Sequence, residues 1–300
     1  MRRVHRRAAA LAEIGRRTTG SSIRAGDTGS LSHYDNPAYY QKAYSKRRHD
    51  VAYYVGVAHS VSHVLEYGIG NGRIALPLAR GGVSVTGIDL SRPMLHDLEL
   101  RLAREPARVR TRVTAHLGDM RRLRLDQRFP LVIAPFNVML HVYSLAEVEA
   151  FLARVREHLQ DDGEFVLDVS VPAPEDLSGE SGRRYRMPAL RDPVTRQTLR
   201  YSELFTYDPV RQILKVEAEF RGAGRQYWRV PLTQRQFFPA ELEALLHYNG
   251  FGDIRFEPDF GGGSGAPDID SLAIRCRPRA APKPRTPNKR AVLQQRRRST

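Results

Sequence analysis

A short apolar segment followed by a glycine-rich turn is the feature that most constrains this chain. Residues 64–67 predict a buried strand, residues 68–72 the turn, and residues 73–80 a helix. Gly68 and Gly70 accept positive φ angles and carry no Cβ, so a ligand can lie against the backbone. Units of this kind build open α/β sheets, which bind ligands at the carboxyl ends of their strands.

Strands and helices alternate through the first half of the chain. Beyond the unit just described, helices are predicted over 37–58, from Ser91 onward and over 145–159, and strands over 83–89, within 109–117, over 131–136 and over 164–169. Such a rhythm is typical of a mostly parallel sheet with helices on both faces.

The pattern changes after residue 170. Residues 199–207, 212–220 and 226–230 predict three antiparallel strands separated by turns. A helix over 239–248 and strands over 251–257 and 271–275 close the chain. We therefore predict a core from 33–170 and 232–277, a small antiparallel β insertion over 171–231, and disordered tails over 1–32 and 278–300.

The charge lies mostly in the two tails. The formal net charge is +15, of which residues 1–30 carry +5 and residues 277–300 carry +9, which leaves +1 for the 246 residues between them. This distribution favours solubilising tails over a nucleic-acid-binding face, although contact with nucleic acid through the tails stays open. The single cysteine, Cys276, excludes an internal disulfide, and no apolar stretch is long enough to span a membrane. We expect a cytoplasmic protein without a membrane partner.

Two carboxylates flank the glycine turn. Glu66 precedes it, and Asp89 ends the next strand, 17 residues after Gly72. A carboxylate in the place of Asp89 can accept both ribose hydroxyl protons of a nucleoside. The dinucleotide fingerprint is a competing interpretation, but its glycines are spaced Gly-x-Gly-x-x-Gly, and Glu66 would repel a pyrophosphate. A cationic cofactor suits this acid better.

Four ordered motifs resemble those of class I S-adenosylmethionine-dependent methyltransferases. Val64-Leu65-Glu66-Tyr67-Gly68-Ile69-Gly70-Asn71-Gly72-Arg73 resembles motif I, Gly87-Ile88-Asp89-Leu90-Ser91 with Met94 resembles motif II, and Gly118-Asp119-Met120 and Leu159–Asp168 resemble two later segments. Tyr67 and Asn71 depart from the commoner residues. The resemblance covers about residues 33–277 and implies a Rossmann-like, mostly parallel seven-stranded sheet.

The resemblance also implies residue roles. Glu66 would lie near the methionine end of S-adenosylmethionine, above Gly68 and Gly70, and Asp89 would hold the ribose. Leu90 and Met94 would flank the adenine, and Asp119 would accept from adenine N6 beside Met120. Arg48 or Arg47, with Tyr39 and Tyr44, would meet the cofactor carboxylate. Structural alternatives stay open: a helix cap for Asp89, a turn for Asp119, core packing for both methionines and a solvated helix face for the arginines.

The acceptor is expected beyond the fourth strand, within residues 135–141. His141 is the candidate base and Asn137 a candidate for orienting the acceptor; a histidine satisfied by backbone and a turn asparagine are the alternatives. No Asn/Asp-Pro-Pro-aromatic motif is present, Cys276 lies on the last predicted strand, and strand four carries no acid for magnesium. We therefore predict no metal, and no methylation of adenine, glutamine or pyrimidine C5.

These observations predict methyl transfer to nitrogen or oxygen of a small molecule. The chain is similar to methyltransferases of the glycine/sarcosine and amino-sugar type, in which an insertion forms a lid or dimer surface, so a monomer or homodimer is expected. Aromatic residues of the insertion would line an acceptor pocket or simply pack together. An RNA-modifying methyltransferase that docks through the basic tails, and a nucleoside-binding module without chemistry, are the alternatives.

Overall fold

The computed structural model describes residues 30–279, with gaps at 36, 45–46, 179–182, 192–196, 225–226 and 263–268. The two predicted tails therefore lie outside the described residues, apart from 30–32 and 278–279. Ser30, which the sequence assigned to the N-terminal tail, is buried in the folded part. None of the helices within the described ranges is both long enough and apolar enough to cross a membrane.

The elements follow one another as alternating helices and strands, then a run of strands. In chain order they are α1 Pro37–Tyr44, α2 His49–Val57, β1 His63–Tyr67, α3 Ala75–Arg80, β2 Ser84–Asp89, α4 Arg92–Leu102, α5 Ala107–Arg110, β3 Val113–Leu117, β4 Phe129–Ala134, α6 Leu145–His158, β5 Leu159–Ser170, α7 Pro174–Leu177, β6 Arg184–Arg191, β7 Thr198–Asp208, β8 Ile213–Arg221, β9 Tyr227–Arg235, α8 Pro239–Tyr248, β10 Phe251–Pro258 and β11 Ser271–Pro278. Short 3-10 helices cover Leu31–Tyr34, Ala58–Ser60, Val138–His141 and Asp259–Gly261.

The predicted seven-stranded sheet is confirmed. Its strand order is β10-β11-β5-β4-β1-β2-β3. The five strands from β5 to β3 pair in parallel, whereas β11 pairs antiparallel with both β5 and β10. The order reverses at β1, where β4 lies on one side and β2 on the other, and this switch point is where open α/β sheets bind ligands.

Helices cover both faces of this sheet. On one face Val64 of β1 packs in a cluster with Tyr54 of α2 and Leu98 of α4. On the other face the neighbouring Leu65 packs with Phe151 of α6 and the apolar side of α8. Successive side chains of a strand point to opposite faces, so β1, whose residues 64–67 are all buried, is covered on both sides.

The insertion is a separate antiparallel sheet of four strands in the order β6-β7-β8-β9. Three of these strands were predicted; β6 was not. Pro188 interrupts its sequence, and the β6–β7 register shifts between Met187 and Leu190. Proline removes a ladder donor and is tolerated on an edge strand, which is the position that β6 occupies.

Two further boundaries differ from the prediction. The single helix expected over 37–58 is two helices, and α2 begins with Asp50 in its first turn, buried against Arg73. The turn expected at Asp161-Asp162-Gly163 lies within β5, where the pairing with β4 is irregular between Phe129 and Leu131. In both places tertiary contacts decide the local conformation.

Candidate functional site

A cavity of about 410 Å³ opens at the carboxyl ends of β1, β2, β3 and β4. This volume lies within the range of small-molecule sites. Nine of the twelve sequence-predicted site residues line it: Glu66, Gly68, Gly70, Asp89, Leu90, Met94, Asp119, Met120 and His141. Asn137, Tyr44 and Arg48 are not among the lining residues.

The glycine turn has the predicted backbone. Gly68, Gly70 and Gly72 have φ angles of 69°, 53° and 79°, a region that side chains other than glycine rarely adopt. Their nearest neighbours are the protein's own side chains. A Cβ on Gly68 would lie 2.4 Å from Val138 Cγ2, and one on Gly70 would lie 3.1 Å from Met94 Cε. The turn therefore needs glycine for its own packing. The side chains of Val138 and Met94 form the cavity wall above it.

Asp89 is held rigidly at the end of β2. Its Oδ2 accepts from the Gly70 amide at 2.7 Å, and its Oδ1 accepts from the Ser91 amide at 2.8 Å. Burial raises the pKa of this carboxyl, and the hydrogen bonds from Ser91 and Gly70 oppose that shift. The helix cap at the start of α4 is made by Ser91, as the sequence predicts, and not by Asp89; the Ser91 hydroxyl accepts from Met94 N.

Glu66 is a buried carboxyl that the surrounding protein does not fully hydrogen-bond. Its side chain is 2% exposed, and its Oε2 has no hydrogen-bond partner among the described residues. Burial raises its pKa well above the ordinary value, while Arg73 lowers it and Asp89 raises it further. A cationic ligand beside Glu66 would stabilise the carboxylate form.

Arg73 is the cation at this end of the cavity. It lines the wall, and its Nη2 pairs with the buried Asp50 at 2.7 Å. Its guanidinium lies 4.6 Å from the centre of the Phe136 ring, and Arg47 lies 4.9 Å from the same ring. Arg73 Nη1 is buried without a hydrogen-bond partner among the described residues. The resemblance had implied that Arg48 or Arg47, and not Arg73, binds the cofactor carboxylate.

The two predicted N-terminal residues lie away from the cavity wall. Arg48 is exposed just before α2. Tyr44 packs its ring against Phe136 at 4.7 Å and against Tyr40 at 4.8 Å, so that it supports wall residues from behind. Tyr40 itself lines the cavity.

The predicted adenine region is closed on one side by an ion pair. Arg121 donates from Nε to Asp119 Oδ1 at 2.9 Å and from Nη2 to Oδ2 at 2.7 Å, and it also contacts Glu147 of α6. The Arg121 hydrogen bonds lower the pKa of Asp119. Asp119 therefore stays ionised and fixed.

Apolar side chains complete this region. Met94 is buried at 2% exposure, whereas Leu90 is 51% exposed at the rim. Met120 is half-buried and packs against the core. All three line the cavity, and they form an apolar wall beside Asp89 and Asp119.

Asn137 makes a turn. Its φ of 65° is left-handed, its Nδ2 donates to Ser170 Oγ at 3.0 Å, and its Oδ1 accepts from Ser170 N at 2.6 Å. The neighbouring Phe136 amide donates to the buried Asp168 at 2.6 Å. Both contacts connect the end of β4 to β5. The side-chain amide of Asn137 is therefore occupied by contacts within the fold.

His141 lines the cavity beside Tyr34. Its Nε2 is 2.8 Å from the hydroxyl of Tyr34, which also lines the cavity. Burial lowers the pKa of His141 to about 4, and the nearby Thr233 backbone opposes the shift. Its Nδ1 is buried without a hydrogen-bond partner among the described residues. The imidazole is therefore neutral near pH 7.

The insertion reaches the part of the cavity around His141 through β9. The Thr233 carbonyl accepts from Ser30 Oγ and from the Tyr143 hydroxyl, both at 3.0 Å. Ser30, Tyr34, His141 and Tyr143, which all line the cavity, are called the acceptor end below. The aromatic residues of the insertion pack among themselves instead: Tyr201 stacks on Phe220 at 4.9 Å, and Tyr185 meets Phe205 edge-on at 5.6 Å.

The two departures from motif I have structural explanations. The Tyr67 hydroxyl lies 2.6 Å from His158 Nδ1, while His158 Nε2 accepts from the Leu125 amide. Asn71 donates to Asp97 at 3.0 Å and lines the cavity. Tyr67 therefore serves the core, and Asn71 connects the glycine turn to α4.

Sequence reasoning missed several lining residues, among them Ser30, Tyr34, Tyr40, Arg73, Arg121, Tyr143 and Glu147. Two of them had a signal: Arg73 directly follows the third glycine, and Glu147 stands three residues after Ser144 in a capping box. Among the described residues, no group of three or more His, Cys, Asp or Glu is placed to hold a metal ion.

Comparison with known proteins gives a consistent assignment. Residues 64–163 match a family described as methyltransferase domain. The cypemycin N-terminal methyltransferase of a Streptomyces species is 33% identical over 136 residues, which are 45% of this chain and 53% of that protein. The chain thus spans about half the length of this curated relative.

Two solved structures extend the likeness over most of the chain. The CcbJ methyltransferase from Streptomyces caelestis is 27% identical with a TM-score of 0.67, and the match covers 78% of this chain and 90% of that one. The glycopeptide N-methyltransferase MtfA in complex with S-adenosyl-L-methionine is 25% identical with a TM-score of 0.54, over 77% of this chain and 87% of that one.

Proposed function

We propose that the chain is a class I S-adenosylmethionine-dependent methyltransferase and that it transfers the methyl group to a nitrogen atom of a small natural-product-like acceptor. The observation that carries this proposal is a cavity bounded by the glycine turn and by two carboxylates, the buried Glu66 and the half-buried Asp89. When bound, S-adenosylmethionine supplies a methyl group on a positively charged sulfur.

The residues present fit this cofactor. The orphaned Glu66 Oε2 suits the cationic methionine end, and Asp89 keeps further lone pairs for the ribose hydroxyls. Leu90, Met94 and Met120 offer apolar walls to the adenine, with Asp119 as acceptor for its amino group. For the carboxylate of the cofactor we assign Arg73 in place of Arg48, because Arg73 faces the cavity with Nη1 unpaired.

The proposal of nitrogen over oxygen rests on His141. A hydroxyl acceptor must lose its proton as it attacks, and a base with a pKa of about 4 gives little driving force for that transfer. An unprotonated amine attacks with its lone pair and sheds a proton only afterwards. The cypemycin relative is named for methylation at an N-terminus, and the glycopeptide relative is named as an N-methyltransferase.

A screen of acceptors coupled to release of S-adenosylhomocysteine tests the proposal. The panel pairs amines with the corresponding alcohols and phenols and includes RNA. We expect turnover of amines and none of their hydroxyl counterparts. Turnover of hydroxyl acceptors alone, or of RNA alone, would contradict the proposal.

A further inference from the structure

A buried ion pair lies behind the cavity wall next to the glycine turn. Asp50, in the first turn of α2, is fully buried, and its Oδ2 lies 2.7 Å from Arg73 Nη2. Arg73 follows the glycine turn and lines the cavity, whereas Asp50 is absent from the lining residues. Asp50 therefore contacts a residue of the cavity wall without reaching the cavity itself.

The position of Asp50 requires an acid. Its Oδ1 accepts a hydrogen bond from the Val51 amide at 2.8 Å, and its Oδ2 faces Arg73 Nη2 and, at 3.4 Å, Arg47 Nε. A carboxylate can accept at both oxygens, whereas the amide of asparagine accepts at one end and donates at the other. Asparagine would therefore turn a donor either toward the Val51 amide or toward the guanidinium groups.

The two arginines that share Asp50 have different surroundings. Arg47 donates from Nη2 to Ser271 Oγ of β11 at 3.1 Å and is not a lining residue of the cavity. Arg73 lines the cavity, its side chain is 12% exposed, and its Nη1 is buried without a hydrogen-bond partner among the described residues. Arg47 is thus occupied by the fold, while Arg73 keeps donors for a ligand.

A strained residue supports the Arg73 guanidinium. Phe136 has a φ of 62°, in the left-handed region that residues other than glycine rarely adopt, and its ring centre lies 4.6 Å from Arg73 Cζ. Its amide donates to the buried Asp168 at 2.6 Å. Such a backbone persists only where the surrounding structure imposes it. The ring and the Asp50 ion pair together fix the plane of the guanidinium.

On the basis of the proposed function, we infer that Asp50 is a positioning residue for cofactor binding, which holds Arg73 in the orientation that receives the carboxylate of S-adenosylmethionine. A guanidinium binds a carboxylate through two parallel N–H donors, so its affinity depends on the direction of its plane. Asp50 fixes that direction from the side of the protein. Asp50 itself makes no contact with the cofactor.

Orientation and charge act in opposite directions at this position. The Asp50 charge on its own repels the cofactor carboxylate, so its removal without any other change would strengthen binding. Loss of the ion pair frees the Arg73 guanidinium to turn, which weakens binding. We expect orientation to prevail, because the amide in Asp50→Asn cannot satisfy both the Val51 amide and the guanidinium. The sign of the effect therefore tests the inference.

Two ligands separate the carboxylate from the rest of the cofactor. S-adenosylhomocysteine carries the carboxylate, and decarboxylated S-adenosylhomocysteine lacks it but keeps the adenosine, the sulfur and the amino group. Calorimetry on the full chain measures both dissociation constants. Wild type should bind S-adenosylhomocysteine at least about tenfold more tightly than the decarboxylated analogue, the effect of one lost hydrogen bond between charged groups.

The Asp50→Asn variant tests the positioning role. It should weaken binding of S-adenosylhomocysteine by about 10- to 100-fold and binding of the decarboxylated analogue by less than about threefold. Retained affinity for the analogue also shows that the variant folds. Asp161→Asn is the matched control, because it removes a carboxylate that is 99% exposed and pairs with Arg128, and it should bind both ligands as wild type does.

A double-mutant cycle tests whether Asp50 acts through Arg73. Arg73→Gln should weaken binding of S-adenosylhomocysteine to a similar extent. Adding Asp50→Asn should then change the affinity by no more than about twofold, because no guanidinium is left to orient at residue 73. The double variant also removes both charges of the Asp50–Arg73 pair, so neither of them stays buried without the other.

The outcomes separate the positioning role from the proposed function. The positioning role is overturned if Asp50→Asn binds S-adenosylhomocysteine as tightly as wild type or more tightly, or if it loses both ligands equally. A double variant whose two losses add, or a wild type that binds both ligands equally well, overturns it too. Folded wild type that binds neither ligand would instead overturn the proposed function.

Discussion

The Asp89 carboxylate accepts a hydrogen bond from the Gly70 amide, with 2.7 Å between Gly70 N and Asp89 Oδ2. This bond joins the end of β2 to the turn after β1. Because the Ser91 amide holds the other oxygen, the surrounding backbone fixes the orientation of the carboxylate. The acid that we assign to the ribose is therefore also part of the frame that shapes the cavity.

Replacement of Asp89 should weaken cofactor binding. Asp89→Asn keeps the size of the side chain but loses the charge and one acceptor. We expect the free energy of S-adenosylhomocysteine binding to fall by about 1–3 kcal/mol, the order for a lost hydrogen bond to a charged group. Equilibrium dialysis with labelled ligand measures it. Asp161→Asn, whose parent side chain is 99% exposed, is the matched control, and equal affinities in the two variants would count against the ribose role.

Glu66 should make the ligand-free protein less stable as pH rises. Burial raises the pKa of Glu66 in the folded state, so the folded protein binds its proton more tightly than the unfolded chain does. The stability that this proton provides is present below the unfolded pKa of about 4.3 and is lost as pH rises through the folded pKa.

Glu66→Gln removes that titration. Relative to wild type, the variant should gain stability between pH 5 and pH 8, on the order of 1 kcal/mol, because glutamine stays uncharged where the buried carboxyl would ionise. Urea unfolding across this range measures the difference. A difference that is constant with pH would refute the assigned environment of Glu66.

Gly68 should tolerate no side chain. In Gly68→Ala the new Cβ would lie 2.4 Å from Val138 Cγ2, at a φ of 69°. We expect a loss of about 2–4 kcal/mol in the free energy of unfolding, from overpacking and backbone strain together. Adding Val138→Ala should recover part of it, because it removes the steric conflict and leaves the strain. A double variant no more stable than Gly68→Ala would show that the contact contributes nothing.

The sequence predicted correctly those elements whose bounds depend on residues that are close together in the chain. The helix over 239–248 was predicted with its observed bounds, since Pro239 begins it and Gly250 follows it. Glu66, Asp89 and the glycines were located because they stand at strand ends next to a turn. Strand β6 was missed because Pro188 argues against a strand unless the edge position is known.

The acceptor end depends on contacts that are distant in sequence. Ser30 reaches Thr233 across 203 positions, and Tyr34 reaches His141 across 107. No periodicity or motif connects such residues. Arg48 or Arg47 was assigned to the cofactor carboxylate from the resemblance, and Arg73 was not considered for this role. Only the packing of the folded chain shows that Arg73 lines the cavity.

His141 should fail to titrate near neutrality. Its pKa of about 4 lies below the unfolded value of about 6.5, so its contribution to stability is present above pH 6.5 and is lost as pH falls toward 4. In protein with ¹³C-labelled histidine, the His141 ring signal should show no inflection between pH 5.5 and 8, and His141→Gln assigns the signal. An inflection near pH 6.5–7 would restore His141 as a general base and reopen oxygen as the target.

Calorimetric titration of the wild-type protein with S-adenosylhomocysteine and, separately, with NADH tests the central claim most directly. We expect a saturable 1:1 complex with S-adenosylhomocysteine and no binding of NADH, whose pyrophosphate would meet Glu66 and Asp89. Saturable binding of NADH, or no binding of S-adenosylhomocysteine by folded protein, would contradict it.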